Sequence, residues 1–379
     1  MRLAYVIDSL ARSGGAEQAL AAMAPLWVAQ GVIMRVYVVG GGEDLREVLE
    51  SSRITVTAAP PGGRRAKLLW LRRELQEHQP NLVHTTLFES DIIGRIAARS
   101  IGIPSVTSLV ATPYGGDHYG QQGLSRSKVA SAHAADILTA RPAAAFHAVS
   151  GHVAAVMSRR LIIPSRRITV IPRGKDPVLL GGRDPKRQQR VRMRLGLEPS
   201  APLLVAAARH EPPKGLDVLL RAMSYVVAAQ PTVQLAIAGR EGTVSPQLRQ
   251  LRRHLGLEQV VHLLGSRDDV PDLLAAADIV VVPSRREGIS NVAIEAMALG
   301  TPLVASDVPA VRETVGGDAN ALLVPLEEKS LADAILVTLV RGDTGRALSA
   351  KRFFEKTYQL SNVSEQMNQF HLSIVASHG

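Results

Sequence analysis

The chain has 379 residues, of which 46% are apolar and 21% charged, and its formal charge is +10 at pH 7. That composition excludes a disordered or fibrous chain, and at roughly 150 residues per domain the length sets a prior of two to three domains. The sequence has no cysteine, which removes disulfides, thiolate zinc sites, a cysteine nucleophile and iron–sulfur clusters. Aromatic residues make up only 3%, and no cations interleave with stacking side chains, so nucleic-acid binding is not expected. Residues 1–178 hold 21 Lys and Arg against 13 Asp and Glu, whereas residues 179–379 hold 23 against 21. The basic half points to an anionic partner without naming one.

Strand and helix patterns alternate along the chain. Leu3–Ile7 is a short apolar run that reads as a buried strand, and Asp8 interrupts it too early for a signal peptide. A Gly-containing loop and an Ala/Leu-rich helix, Ala16–Gln30, follow, with Gly31 as the stop. Further strands are expected at Ile33–Val39, Leu82–His84, Ser105–Val110 and Ala144–Val149, with helices at Arg64–Gln76 and Ser90–Ser100. A Pro/Gly-rich stretch, Pro172–Pro185, reads as a linker. The pattern then restarts, with strands at Pro202–Ala208, Val233–Ala238, Val260–Leu264, Ile279–Val282 and Pro302–Ala305. Strands alternating with helices imply parallel sheets covered on both faces. The expected fold is therefore α/β: two Rossmann-like, doubly wound domains with a ligand site in the cleft between them. No apolar run approaches the ~18 residues that span a bilayer, so a soluble, cytoplasmic protein is expected.

Three segments could carry chemistry. In Ser284-Arg285-Arg286-Glu287-Gly288-Ile289-Ser290-Asn291-Val292-Ala293-Ile294-Glu295, two carboxylates lie seven residues apart around Gly288 and a helix start capped by Asn291. Free amides from Ser290 to Ala293 would favour an anion, and carboxylates accept paired sugar hydroxyls. The alternative is an exposed loop Glu and a second Glu satisfying the helix dipole. In Ala208-Arg209-His210-Glu211-Pro212-Pro213-Lys214-Gly215, an Arg and a Lys flank a rigid turn and could clamp a diphosphate; alone they read equally as solvated cations. In Ala11-Arg12-Ser13-Gly14-Gly15-Ala16-Glu17, Gly14 and Gly15 would let backbone approach a ligand at a helix start, or simply make a tight turn. Gly40-Gly41-Gly42 lacks the spacing of a dinucleotide fingerprint.

These segments resemble the retaining, nucleotide-sugar-dependent glycosyltransferases of the GT-B fold, family 4 type. Glu287 and Glu295 match that family's Glu-x7-Glu motif, and Ala296–Asp307 continues the likeness. The resemblance implies that Glu287 contacts the donor sugar and Glu295 the ribose hydroxyls. It further implies that the backbone of Gly288, Ile289, Ser290 and Asn291 meets sugar and phosphate, and that Arg209 and Lys214 neutralise the leaving diphosphate. Gly14 and Gly15 match a Gly-Gly-x-Glu segment near donor phosphate, and Leu264 lies in a segment that reads the nucleobase. The donor would be UDP- or GDP-linked and the acceptor a hydroxyl of a glycan, glycolipid or natural product. No Asp-x-Asp motif is present, so no metal is expected, and no cofactor besides the donor.

The implied domains are 1–175 for the acceptor, 176–355 for the nucleotide sugar, and a C-terminal helix, 356–379, packing back on the first domain. Many members carry a His where this chain has Val110; His84 and His118 could replace it or be unrelated. The basic segment Arg64–Arg73, with Trp70 and Leu71, could lie on an anionic membrane or pack on its sheet. A sugar-nucleotide epimerase, a phosphorylase and a non-catalytic binding protein are the competing readings.

Overall fold

A computed structural model of the protein describes residues 1–12, 14–115 and 125–378; Ser13 and His118 lie outside the described residues. The chain forms two compact units, residues 1–174 with 360–379, and residues 175–359.

The first unit is built on seven parallel strands: β1 (Arg2–Ile7), β2 (Ile33–Val38), β3 (Thr55–Ala58), β4 (Leu82–Thr86), β5 (Ser105–Leu109), β6 (Ala145–Ala148) and β7 (Ile168–Val170). Their order is β3-β2-β1-β4-β5-β6-β7. The order reverses between β1 and β4, which pair in parallel from Leu3↔Leu82 to Ile7↔Thr86. Strands β1, β4 and β5 are buried at nearly every position, as a sheet covered on both faces requires. On one face Leu3, Tyr5 and Ile7 pack with Trp27, Val363, Met367 and Phe370; on the other Ala4 and Val6 pack with Leu71, Leu75, Ile93 and Ala97.

The helix Leu360–His378 thus closes the core of a unit whose other residues end at position 174. The indole of Trp27 donates to the carbonyl of Ser364 (3.1 Å). Gly174 is the residue that fits where the chain meets this helix, because a Cβ there would stand 2.7 Å from the Cα of Leu360.

A line of buried imidazoles crosses the same face. His147 Nε2 lies 2.7 Å from the carbonyl oxygen of Ile171, which can only accept, so this nitrogen carries the proton. His147 Nδ1 then accepts from the Ser108 hydroxyl (2.8 Å), Ser108 Oγ accepts from His84 Nε2 (2.7 Å), and His84 Nδ1 accepts from His371 Nε2 (2.8 Å). One carbonyl therefore fixes three tautomers. The last acceptor, His371 Nδ1, is buried without a hydrogen-bond partner among the described residues. Burial holds all three rings neutral, lowering His147 to about 4 and His371 to about 3, and His84 well below its usual value.

The second unit holds six parallel strands: β8 (Leu203–Ala207), β9 (Gln234–Ala238), β10 (Val261–Gly265), β11 (Ile279–Val282), β12 (Leu303–Ser306) and β13 (Leu322–Val324). Their order is β10-β9-β8-β11-β12-β13, with the reversal between β8 and β11. The core gathers Leu204, Leu219, Leu235, Ile237, Val281 and Val304. Among the described residues no helix is long and apolar enough to cross a membrane.

Candidate functional site

In an open α/β sheet the carboxyl ends of the two strands at the reversal diverge and leave a crevice. In the second unit those strands are β8 and β11, and they deliver the Arg209–Lys214 and Glu287–Glu295 segments respectively.

After β8 the chain turns through Ala208, Arg209, His210 and Glu211 into a 3-10 turn, Pro212–Lys214. His210 is buried with Nδ1 3.1 Å from Ser245 Oγ, while the side chain of Arg209 is exposed and makes no ion pair among the described residues. Gly215 then caps the helix Leu216–Ala229 at φ +62. A Cβ at Gly215 would stand 1.9 Å from the carbonyl oxygen of Pro283, so only glycine lets this loop press against the end of β11. The amide of Arg285 donates to Pro213 O (2.8 Å) and stitches the two loops together.

That contact sets the first charge pair. Lys214 Nζ donates to Glu287 Oε1 at 2.6 Å, and the same oxygen accepts from the Ser284 hydroxyl at 2.8 Å. Ser284 is itself buried, and its carbonyl accepts from Ser306 Oγ on β12 (2.5 Å). One member of the expected cation clamp is thus paired with one of the expected carboxylates. The Lys214 side chain is 22% exposed, so an incoming phosphate can reach it and replace Glu287 as its partner.

The helix that follows is Asn291–Leu299, and its cap differs from expectation. Ser290, not Asn291, is the N-cap: its hydroxyl accepts from the amide of Ala293 (3.4 Å), and its own amide reaches Thr314 Oγ1 (3.4 Å). A serine with extended backbone serves this role as well as asparagine, and it sits one residue earlier. The amides of Ser290 and Ala293 are therefore engaged rather than free. Asn291 becomes the first helical residue, and its Oδ1 is buried without a hydrogen-bond partner among the described residues. Ile289 is buried and anchors the loop, while Gly288 precedes it in the same turn.

Glu295 lies one turn into the helix, and Lys175 Nζ donates to its Oε1 at 2.6 Å. Lys175 was not anticipated. It sits within the Pro/Gly-rich stretch read as a linker, where a single lysine gives no sequence signal. Its backbone is held in place, because its amide donates to Tyr358 O (2.8 Å). Leu264 stands where the pairing of β10 with β9 shifts register, between Leu263↔Ile237 and Gly265↔Ala238. That bulge frees its backbone from the ladder.

In the first unit the expected glycines follow β1. Gly14 caps the helix Gly15–Ala29 at φ −90, so its conformation does not demand glycine. A Cβ there would stand 2.0 Å from the carboxylate of Glu17, which folds back to accept from Ser9 Oγ (2.8 Å), so a larger residue would displace this flexible side chain from its serine. His84 is a core residue of the imidazole line and does not replace the absent histidine at Val110. The basic helix spans Arg64–His78. Leu71 and Leu75 are buried, Trp70 meets Tyr37 edge-on at 5.9 Å, and Arg64 chelates Glu89 at 2.7 Å, whereas Leu69 faces solvent. No cluster of three or more His, Asp or Glu able to hold a metal occurs among the described residues.

Two doubly wound parallel sheets, each with one reversal of strand order, are the architecture of the GT-B fold, and comparison places the chain within a family of that fold. Residues 13–179 match the model for Glycosyltransferase Family 4, and residues 201–340 match that for Glycosyl transferases group 1. The chain belongs to this family. It is 36% identical over 172 residues to a D-inositol 3-phosphate glycosyltransferase of Segniliparus rotundus, covering 42% of this chain and 36% of that protein. It is 32% identical over 186 residues to a GDP-mannose-dependent monoacylated alpha-(1-6)-phosphatidylinositol monomannoside mannosyltransferase of Corynebacterium glutamicum, covering 47% and 48% respectively. The chain spans less than half the length of these two curated relatives. Among solved structures, Anabaena Alr3699/HepE in complex with UDP-glucose superposes with a TM-score of 0.83 at 22% identity, covering 98% of this chain and 99% of that one. That likeness establishes the GT-B fold.

Proposed function

We propose that the chain is a retaining glycosyltransferase that moves a sugar from a nucleotide-diphosphate sugar to an acceptor hydroxyl. The observation that carries this reading is the pairing of Lys214 with Glu287 at the reversal between β8 and β11, beside the exposed Arg209. Departure of a nucleoside diphosphate develops negative charge, and fixed cations at a sheet's carboxyl edge stabilise it without reorganising. On donor binding, Lys214 turns from Glu287 to the phosphates, and Arg209 takes the other side. The freed Glu287 then accepts hydroxyls of the sugar, and Glu295, oriented by Lys175, accepts those of the ribose. Gly288, Ile289, Ser290 and Asn291 line the path between them, and the free Oδ1 of Asn291 is a further acceptor. In the first unit Gly14 and Gly15 open the helix Gly15–Ala29 and offer backbone to an anionic group.

The donor phosphate, rather than a protein carboxylate, acts as base for the incoming hydroxyl. The diphosphate needs no metal in this scheme. A UDP-glucose complex of a structural relative and the GDP-mannose dependence of a sequence relative make UDP and GDP the first bases to test. The acceptor belongs to the first unit, whose helix Arg64–His78 leaves Arg65, Leu69, Arg72 and Arg73 exposed for peripheral contact with an anionic membrane. Salt-sensitive binding to anionic vesicles tests that contact, and its absence removes it.

The deciding experiment is a thermal-shift screen of UDP, GDP, ADP and TDP and their sugar conjugates, with and without magnesium. A ligand that binds the folded state alone raises the midpoint by mass action. A selective shift that survives chelation supports the reading. No shift with any nucleotide overturns it in favour of a non-catalytic relative.

A further inference from the structure

The first unit contains a pocket of about 490 Å³ that none of the donor-side residues reaches. It opens at the carboxyl ends of β4 and β5, and its walls are mostly apolar, including Leu87, Phe88, Val110 and Met157, with Asp91, Ser108 and Asp136 among them and the exposed Lys128 at the rim. Two residues of the wall are held in backbone conformations that non-glycine residues avoid, Leu87 at φ +80 and Tyr114 at φ +65. Such conformations cost about 1–3 kcal/mol each and persist where surrounding packing enforces them, commonly at ligand sites.

One buried polar group in the wall is unspent. Asp91 lines the pocket, is 8% exposed, and its Oδ1 has no hydrogen-bond partner among the described residues. Its surroundings explain why. Arg95 is the one buried cation near two carboxylates. Asp136 takes it at 2.6 Å and accepts from the Tyr114 hydroxyl at 2.9 Å, whereas Asp91 is left 3.8 Å from its other nitrogen. Arg95 Nη2 is likewise without a hydrogen-bond partner among the described residues. Burial, and after it the neighbouring Asp136, push the Asp91 carboxyl well above the usual range against the pull of Arg95, and so favour its protonated form. A neutral carboxyl both donates and accepts, and an alcohol does the same. A buried polar group left unpaired costs stability, and a ligand hydroxyl would recover that cost.

We propose that this pocket is an acceptor-side subsite for a hydroxyl-bearing group joined to an apolar body, with the hydroxyl against Asp91 and the alkyl or aryl portion against the Leu87, Phe88, Val110 and Met157 walls. The inference rests on the transferase reading for its role in the reaction, but the binding itself stands apart. Were the site for a bare polyol, apolar walls would be a liability; were it for a hydrocarbon alone, the free carboxyl would be.

The test is calorimetric titration of the full chain with n-octyl β-glucoside, below its micellar concentration, and with methyl β-glucoside. Burial of the alkyl chain predicts at least about tenfold tighter binding of the octyl compound. Ala132→Trp, which fills the pocket from its partly exposed rim, should remove that advantage and leave UDP binding unchanged. Asp91→Asn should keep octyl glucoside binding within about threefold and Asp91→Leu should weaken it about tenfold, as loss of a buried hydrogen bond to a ligand does. Equal affinity for the two glycosides, or undiminished octyl binding in Ala132→Trp, overturns the proposal. If Asp91→Leu does not fold, the Ala132 variant still decides. UDP titrated into the same protein separates the two readings, because its failure to bind withdraws the transferase assignment while the glycoside comparison still reads the pocket.

Discussion

The carboxyl edges of the two sheets are built from opposite materials. In the second unit the reversal between β8 and β11 carries ionised side chains in part-exposed pairs, Lys214 with Glu287 and, on the following helix, Glu295 with Lys175. In the first unit the strands beside the reversal between β1 and β4 are joined by neutral groups: Tyr5 to Thr86 at 2.7 Å, and the imidazole line from His371 to Ile171. A part-buried ammonium at a solvent-facing edge can trade a carboxylate for an incoming phosphate, because it keeps a charged hydrogen-bond acceptor in either state. A buried neutral network cannot, since each group is committed and an unpaired one is costly. The second edge is thus suited to a charged ligand that comes and goes. The first is suited to holding geometry, and among the described residues Asp91 Oδ1 is an unpaired polar atom that it turns toward a cavity.

The largest effects should come from breaking the charged edge. Arg209→Ala and Lys214→Ala should each lower kcat about 10²- to 10³-fold, the range for removing one preorganised charge from a transition state. Steady-state rates on the donor identified by the thermal screen check this, and unchanged turnover in both variants removes the clamp. Glu295→Ala should instead weaken nucleotide binding with a smaller effect on kcat. Gly215→Ala attacks the same edge through its backbone: the added Cβ meets Pro283 O at 1.9 Å, at a φ that strains any L-residue. A loss of about 1–3 kcal/mol is expected in urea unfolding, together with loss of nucleotide binding as the two loops separate.

How much of this edge could be read from sequence follows from burial. Ile279–Val282 was bounded as observed, and the other central strands to within about two residues at each end, because strands covered on both faces read as unbroken apolar runs. The three strands left unread, Thr55–Ala58, Ile168–Val170 and Leu322–Val324, are all edge strands with at most one buried residue each. An edge strand needs little apolar surface, so its pattern fades into that of a loop. The Glu and Lys positions were legible from motif spacing, but their pairing was not. Lys214 meets Glu287 only because Gly215 allows two loops 73 residues apart to touch. Nor was the cap at Ser290 legible, since Ser-Asn offers two good caps in succession and the backbone chooses between them.

The neutral edge makes a pH prediction with a definite sign. His84, His147 and His371 titrate lower in the folded protein than the ~6.5 of an unfolded chain. Below that value the unfolded state binds more protons, so stability falls with falling pH until the folded values, about 4 for His147 and about 3 for His371, are reached. Each ring contributes about 1.4 kcal/mol per pH unit within that window. Asp91 and Asp8, raised by burial, act in the opposite direction, because they hold protons in the folded state that the unfolded chain releases. Urea midpoints at pH 5 and pH 7 for the native protein and for His371→Gln isolate the histidine contribution. The variant should show a shallower dependence, and an equal one shows that the ring is not held neutral.

The smallest effect should come from a charge pair that looks strong on paper. Arg285 chelates Asp217 with two bonds of 2.7 Å, beside the loop that carries Glu287. Both side chains are more than 40% exposed, so water and salt screen them, and ordering two long side chains offsets much of the attraction. Arg285 also donates to the Pro212 carbonyl at 3.0 Å, and its amide, which a side-chain change leaves intact, already ties the two loops through Pro213. Arg285→Ala should therefore cost no more than about 1 kcal/mol in urea unfolding and leave nucleotide affinity within about threefold. A large loss of affinity would mean that the side chain, and not the glycine contact and backbone stitch, sets the approach of Lys214 to Glu287. The contrast with Gly215→Ala measures which of the two builds the charged edge.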